Sequence, residues 1–273
     1  MNWYKSKITL AIAMIIFGGI YSAQAEDLIL ASTTSTQNSG LFDYLLPVFE
    51  KETGIKVHVV AVGTGAALKL ARKGDADVLM VHHKISEEKF VAEGYGVERF
   101  DLMHNDFIIL GPDTDPAQIK SIKDLDVALQ TIAKSGTKFL SRGDDSGTHK
   151  RELELWHSAG VDVKAASGNW YLETGSGMGA TLNTAVGVQG YVLADRATWL
   201  NYKNKQNMAI LQEGDSRLFN QYGVIMVNPK LYSHVKQDAA QRLIDWLLSA
   251  TGQAKIASYT IAGQQLFTPD ALH

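Results

Sequence analysis

Beyond residue 26 the apolar positions fall into short runs that alternate between strand spacing and helix spacing. Residues 28–31 are continuously apolar and predict a strand that feeds straight into Ser32-Thr33-Thr34-Ser35-Thr36. Over 40–52, Leu41, Leu45, Val48 and Phe49 share one helical face, and Gly54 stands just past the end as a stop signal. Residues 56–62 predict the next strand, Gly63-Thr64-Gly65 turns it, and 66–73 reads as a helix. A third strand is predicted over 77–81 and a short helix over 86–93, with Gly94 after it. Strands and helices alternating at this spacing predict an α/β fold with a largely parallel sheet.

A second region opens at 106–112, Asp-Phe-Ile-Ile-Leu-Gly-Pro. A helix is predicted over 121–133. A strand over 137–140 then delivers Ser141-Arg142-Gly143-Asp144-Asp145-Ser146-Gly147-Thr148 into a helical run near 150. A Gly- and Ala-rich helix follows over 178–189. Residues 222–229 echo 107–112 as an apolar strand ending in Pro, and the two stretches predict paired crossovers between lobes. Lobe one would comprise 26–108 and 223–273, and lobe two 109–222. Helices at 235–248 and 251–259 close the chain, and a ligand held between the lobes can draw such a hinge shut.

Residues 1–25 stand apart from this pattern. Lys5 and Lys7 precede a run of 13 residues from Ile8 to Ile20 that is too short for a comfortable span, and Ala23-Gln24-Ala25 supplies a small-x-small cleavage pattern. These features predict a secretory signal peptide and hence export. The chain has no Cys, so an exported product rests on its core without disulfides. Setting aside the two leader lysines moves the net charge from −3 to −5. An acidic chain with no basic stripe argues against nucleic acid as a partner.

Two loops concentrate hydrogen-bond donors. The loop 141–148 holds one guanidinium, three hydroxyls and free backbone N–H groups ahead of a helix start, where unpaired N–H groups and the positive dipole end favour an anion. Arg142 offers a planar fork of donors that keeps its charge, suited to two oxygens of an oxyanion. Asp144 and Asp145 beside it give the plainer reading, a solvated salt bridge worth ~0–1 kcal/mol. Thr33, Thr34, Ser35 and Thr36 sit where the first strand ends, on the rim where open α/β sheets gather ligands. A helix-capping cluster is the plainer reading there. Gly63-Thr64-Gly65 shares that rim.

Catalytic and metal motifs are weak by comparison. No P-loop or GxGxxG opens a βαβ unit, and Gly175-Ser176-Gly177-Met178-Gly179 reads only as a Gly-rich turn. His82 and His83 are adjacent, so strand geometry sends their rings to opposite faces. With no Cys and no HExxH, the eight histidines predict no zinc site. No hydroxyl has a His–Asp relay near it in sequence, which disfavours a periplasmic hydrolase.

Taken together, the leader, the 32–35 loop, the 63–65 turn, the 141–148 run, the 175–179 turn and Phe219-Asn220-Gln221-Tyr222-Gly223 resemble the substrate-binding component of the tungstate ABC transporters. The resemblance covers essentially the whole mature chain. It implies a two-lobed α/β periplasmic binding protein of type II topology, with mixed sheets and a two-strand hinge. It also implies a monomer in the periplasm that captures tungstate, and molybdate too, without a cofactor or chemical conversion. The oxyanion would pass to an inner-membrane ABC permease driven by a cytoplasmic ATPase. Carried over by position, the ligand contacts fall on Thr33, Thr34, Ser35, Thr64, Arg142, Ser146 and Thr148, and on the Gly177, Met178 and Gly179 turn. A donor-only site suits a fully ionised dianion, whereas phosphate, which keeps a proton, rewards a carboxylate acceptor. A phosphate or sulfate binder of the same fold is the nearest alternative.

Overall fold

The computed structural model describes residues 27–271, so the leader assigned to 1–25 lies outside the described residues. The first half of lobe one comprises β1 (Asp27–Thr33), α1 (Thr34–Asn38), α2 (Leu41–Thr53), β2 (Lys56–Val62), α3 (Thr64–Lys73), β3 (Val78–Val81) and α4 (Lys84–Ala92). A long strand, β4 (Gly96–Pro112), leads into α5 (Leu125–Ser135), β5 (Phe139–Ser141), α6 (Gly147–Ser158), β6 (Tyr171–Glu173) and α7 (Met178–Val188). After these come β7 (Tyr191–Asp195), α8 (Arg196–Asn201), β8 (Met208–Gln212), β9 (Phe219–Val227), α9 (Gln237–Leu248) and α10 (Ala250–Ser258).

The strands run in the order β2-β1-β3-β9-β4-β7-β5-β6, with β8 also paired to β4. Parallel pairing joins β1 to β2 and β3 in one lobe, and β5 to β6 and β7 in the other. Antiparallel β4 and β9 join the two halves, so the sheets are mixed. The first part of β4 pairs with β9 as far as Asp106↔Phe219, and its end pairs with β7 and β8. This corrects the expected partnership of 107–112 with 222–229. Those two apolar stretches lie on opposite sides of the junction, and the crossover itself is the polar segment between them.

Period-two alternation builds the cores on both faces. Leu28 and Leu30 of β1 join Tyr222, Val224 and Met226 of β9 under α2, α9 and α10, while Ala31, Ile225 and Val227 face α3 and α4. In the second half, Phe107, Ile109, Tyr191 and Leu193 pack toward α5 and α6, and Ile108, Leu110, Val192 and Ala194 toward α7. The two clusters around the first sheet draw on residues up to Met103 and from Tyr222 onward, with Ala197 of α8 added. Helix ends follow local chemistry. Gly54, Gly74 and Gly136 terminate α2, α3 and α5 in the left-handed region. The Asp124 side chain caps α5, so that helix begins at Leu125 and not at 121.

Candidate functional site

In each lobe the carboxyl ends of the parallel strands meet helix N-termini. Strand β1 runs into α1, β2 through Gly63 into α3, β5 through 142–146 into α6, and β6 through 174–177 into α7. Contacts between these starts bring all four together. Gly147 N–H donates to Thr64 Oγ1 at 2.9 Å, and Gly65 N–H donates to the Asp145 carbonyl at 3.2 Å. Arg142 Nη2 donates to Thr34 Oγ1 at 3.2 Å and Nη1 to Thr148 Oγ1 at 3.4 Å. A Cβ on Gly177 would stand 3.4 Å from Thr34 Oγ1. Each helix start leaves N–H groups with no intrahelical carbonyl to meet, so four sets of such donors and four positive dipole ends converge.

Arg142 is the centre of this arrangement and is only 1% exposed. Burial pulls its pKa down and the neighbouring Asp144 carboxylate pulls it up, but a guanidinium stays cationic in a protein. Asp144 Oδ2 accepts from Nη2 at 2.6 Å, and its Oδ1 accepts the Ser146 N–H at 3.2 Å. Asp145 points outward and pairs with Lys150. One carboxylate therefore braces Arg142 and the other faces solvent. Arg142 Nε is buried and meets no acceptor among the described residues, a donor left open on the most buried cation of the site.

The sequence-predicted residues are brought together, but not all in one way. The Thr34 hydroxyl faces Arg142, whereas Thr33, Ser35 and Thr36 turn their hydroxyls toward one another in the interior. The Ser146 side chain caps α6 by accepting the His149 N–H. The Met178 side chain lies in the core beneath α7, so only its backbone can face the cleft. The Gly177 cap and Gly179 have no Cβ to crowd Thr34 and Asn38. His82 and Asn220 lie directly behind Ser35, and neither was among the predicted site residues. His82 follows the last residue of β3, so the carboxyl-end rule that singled out Thr33 and Gly63 points to it as well.

Beneath Arg142 lies Glu152, 2% exposed, which accepts the Tyr171 hydroxyl at 2.6 Å. Burial pushes its carboxyl up to about 8. The folded protein thus keeps a proton that the unfolded chain releases near the ordinary value of 4.5. Stability linked to Glu152 is therefore full below that value and falls as pH rises toward about 8. Glu152→Gln keeps the acceptor for Tyr171 without the titration. Urea unfolding at pH 5 and pH 8 should show the variant gaining on the parent as pH rises; equal gaps at both would contradict this account.

Among the described residues no group of three or more His, Asp or Glu is placed to hold a metal ion. The PBP superfamily domain model matches residues 21–251. A tungstate-binding protein of Peptoclostridium acidaminophilum is 48% identical over 93% of this chain and 90% of its own length. The solved tungstate ABC transporter structure from Geobacter sulfurreducens is 51% identical, with a TM-score of 0.79 over 86% of this chain and 99% of that one. The tungstate-binding protein of Desulfovibrio alaskensis is 43% identical, with a TM-score of 0.77 over 91% of this chain and all of its own. With this fold, this site and these relatives, the chain belongs to the tungstate-binding protein family of the PBP superfamily.

Proposed function

We propose that this protein captures tungstate, with molybdate as a second ligand, in the periplasm and passes it to an inner-membrane ABC permease powered by a cytoplasmic ATPase. The observation that carries this reading is the buried Arg142 guanidinium, with its open Nε, among four helix N-termini. Such a site supplies donors and positive potential and releases its ligand chemically unchanged. The ligand contacts are Arg142, the hydroxyls of Thr34, Thr64, Ser146 and Thr148, and backbone N–H groups of the starts that include Ser35, Met178 and Gly179. The family relationship supports the oxyanion reading as a whole.

The charge of the ligand follows from the acids. Asp144 already accepts from Arg142 and from the Ser146 N–H, and Asp145 is turned toward Lys150. Both carboxylates of the loop are thus turned to cationic partners of their own, which favours a dianion without a proton over phosphate. The two lobes close as a monomer around the ligand, with the stretches of β4 and β9 near 103–106 and 219–222 as the hinge.

Thermal scans and calorimetric titration with tungstate, molybdate, sulfate and phosphate test this reading. A ligand held only by the folded form at a hundredfold excess over Kd stabilises by about 2.7 kcal/mol. Tungstate and molybdate should both raise Tm well above any effect of sulfate or phosphate. A large shift with phosphate or sulfate alone would reassign the ligand, and no shift with any of the four would remove the binding role.

A further inference from the structure

Behind the cleft wall a line of buried side chains runs from α1 to the second lobe. Ser35 Oγ lies 3.0 Å from His82 Nε2, and His82 Nδ1 lies 3.0 Å from Asn220 Oδ1. Asn220 Nδ2 donates to Asn105 Oδ1 at 2.7 Å and to Asp195 Oδ2 at 3.0 Å. Asn105 Nδ2 and the Tyr222 hydroxyl reach the same Asp195 oxygen, each at 2.9 Å. Asp195 Oδ1 accepts the Thr198 N–H at the start of α8. Every side chain in this line is at most 9% exposed.

The bond directions follow from the acid end. Asp195 is surrounded by donors, so both asparagines turn their NH2 groups toward it. Asn220 then presents only its carbonyl to His82, and the imidazole must answer with Nδ1–H. Burial keeps that ring neutral, its pKa pushed down to about 3, so Nε2 carries a lone pair. The single hydroxyl proton of Ser35 is the only one available to meet it. A hydroxyl that donates to His82 cannot also donate to an oxyanion.

We propose that His82 is a positioning residue for oxyanion capture. By taking the Ser35 hydroxyl proton it turns that side chain away from the cleft and pins α1, whose backbone N–H groups and Thr34 hydroxyl face the ligand. This deepens the oxyanion reading above and rests on it. The neighbouring hydroxyls agree: Thr33 Oγ1 lies 3.0 Å from Ser35 Oγ and 2.7 Å from Thr36 Oγ1, and it accepts the Thr36 N–H. The line also ties α1 to Asn105 and Asn220 on the two strands that join the lobes, and to Asp195 at the end of β7. It has the outline of a nucleophile relay, but a nucleophile must reach its substrate, and Ser35 is 0% exposed.

Two measurements decide the matter. The first is the tautomer of His82 in 15N-histidine-labelled protein without ligand, its signals assigned by their loss in His82→Gln. One-bond 15N–1H coupling should place the proton on Nδ1 and leave Nε2 bare from pH 5.5 to 8. A proton on Nε2 would overturn the proposal, and this readout does not depend on what the protein binds. The second is a double-mutant cycle on tungstate affinity. Ser35→Ala and His82→Ala should each weaken binding by about tenfold, as loss of a ligand-orienting partner does. The double variant should be no weaker than the poorer single variant, and His82→Gln, whose amide oxygen can accept from Ser35, should recover most of the loss. A Ser35→Ala loss far larger than that of His82→Ala, multiplying in the double variant, would make the Ser35 hydroxyl a direct ligand donor and the proposal wrong. Failure of the unsubstituted protein to bind tungstate would remove the ligand reading, while the tautomer would still judge the direction of the Ser35 bond.

Discussion

Replacing Arg142 with Ala should weaken tungstate binding at least about a hundredfold. Hydrogen bonds to charged groups are worth ~1.5–3 kcal/mol each, and the loss of two corresponds to a factor of about a hundred or more. The open Nε and the fork beside it supply at least that many. The structure also changes what is expected of the unliganded protein. Arg142 is paired at 2.6 Å with Asp144, which is largely shielded, so truncation strands a carboxylate. Breaking a buried pair from one side costs about 3–5 kcal/mol, and partial exposure of Asp144 places this case below that range. Fold and affinity are separated by adding Asp144→Asn, which keeps the acceptor for the Ser146 N–H and removes the stranded charge. The double variant should regain most of the lost stability in urea unfolding and none of the lost affinity in calorimetry. Arg142→Lys should retain charge but not the planar fork, and so recover only part of the binding. Unaltered affinity in Arg142→Ala would return this residue to the role of an internal ion-pair partner.

Much of this site was legible because anion chemistry demands a narrow set of residues in a local order. Ser146-Gly147-Thr148 after Arg142 reads as a helix start in sequence and is one in the structure, where Ser146 caps α6. The elements that escaped notice were those whose patterns are set by distant neighbours. The first part of β4 carries Glu98, Arg99, Asp101 and Asp106, and it is a strand because β9 pairs with it and Arg99 is held between Glu87 and Asp101. Strand β7 is five residues between Gly190 and α8, too short to show a period, although all five are buried in the second sheet. Helix α1 consists of Thr-Ser-Thr-Gln-Asn, a poor helix sequence that Thr33 caps. His82 illustrates the limit most clearly. Its neighbour His83 turns toward Glu154, but both residues lie beyond the end of β3 and His83 is the N-cap residue of α4, so strand alternation does not set their directions. The bond from His82 to Asn220, however, spans 138 positions, and local spacing carries no trace of it.

A methyl group on Gly147 should impair ligand capture by holding the lobes apart. Gly147 is the first residue of α6, and its φ lies outside the left-handed region, so Ala fits its backbone. The obstacle is across the cleft. An added Cβ would lie 2.9 Å from Thr64 Oγ1 and 3.0 Å from His82 Cε1, both on the opposite lobe. The Thr64 hydroxyl cannot retreat without giving up the Gly147 N–H, and His82 is fixed between Ser35 and Asn220. With the lobes separated, the methyl group meets neither atom, so the unliganded form should lose no stability. Overpacking costs ~1–3 kcal/mol, here paid only on closure, and this corresponds to a drop in tungstate affinity of about tenfold to a hundredfold. Unfolding of unliganded Gly147→Ala should therefore match the parent while calorimetry shows weakened binding. Small-angle scattering should also show less compaction on adding tungstate than in the parent. Parent-like affinity with full compaction would mean that the contact between Gly147 and Thr64 is not part of the bound state, and the four helix starts would then have to hold their ligand in a more open arrangement.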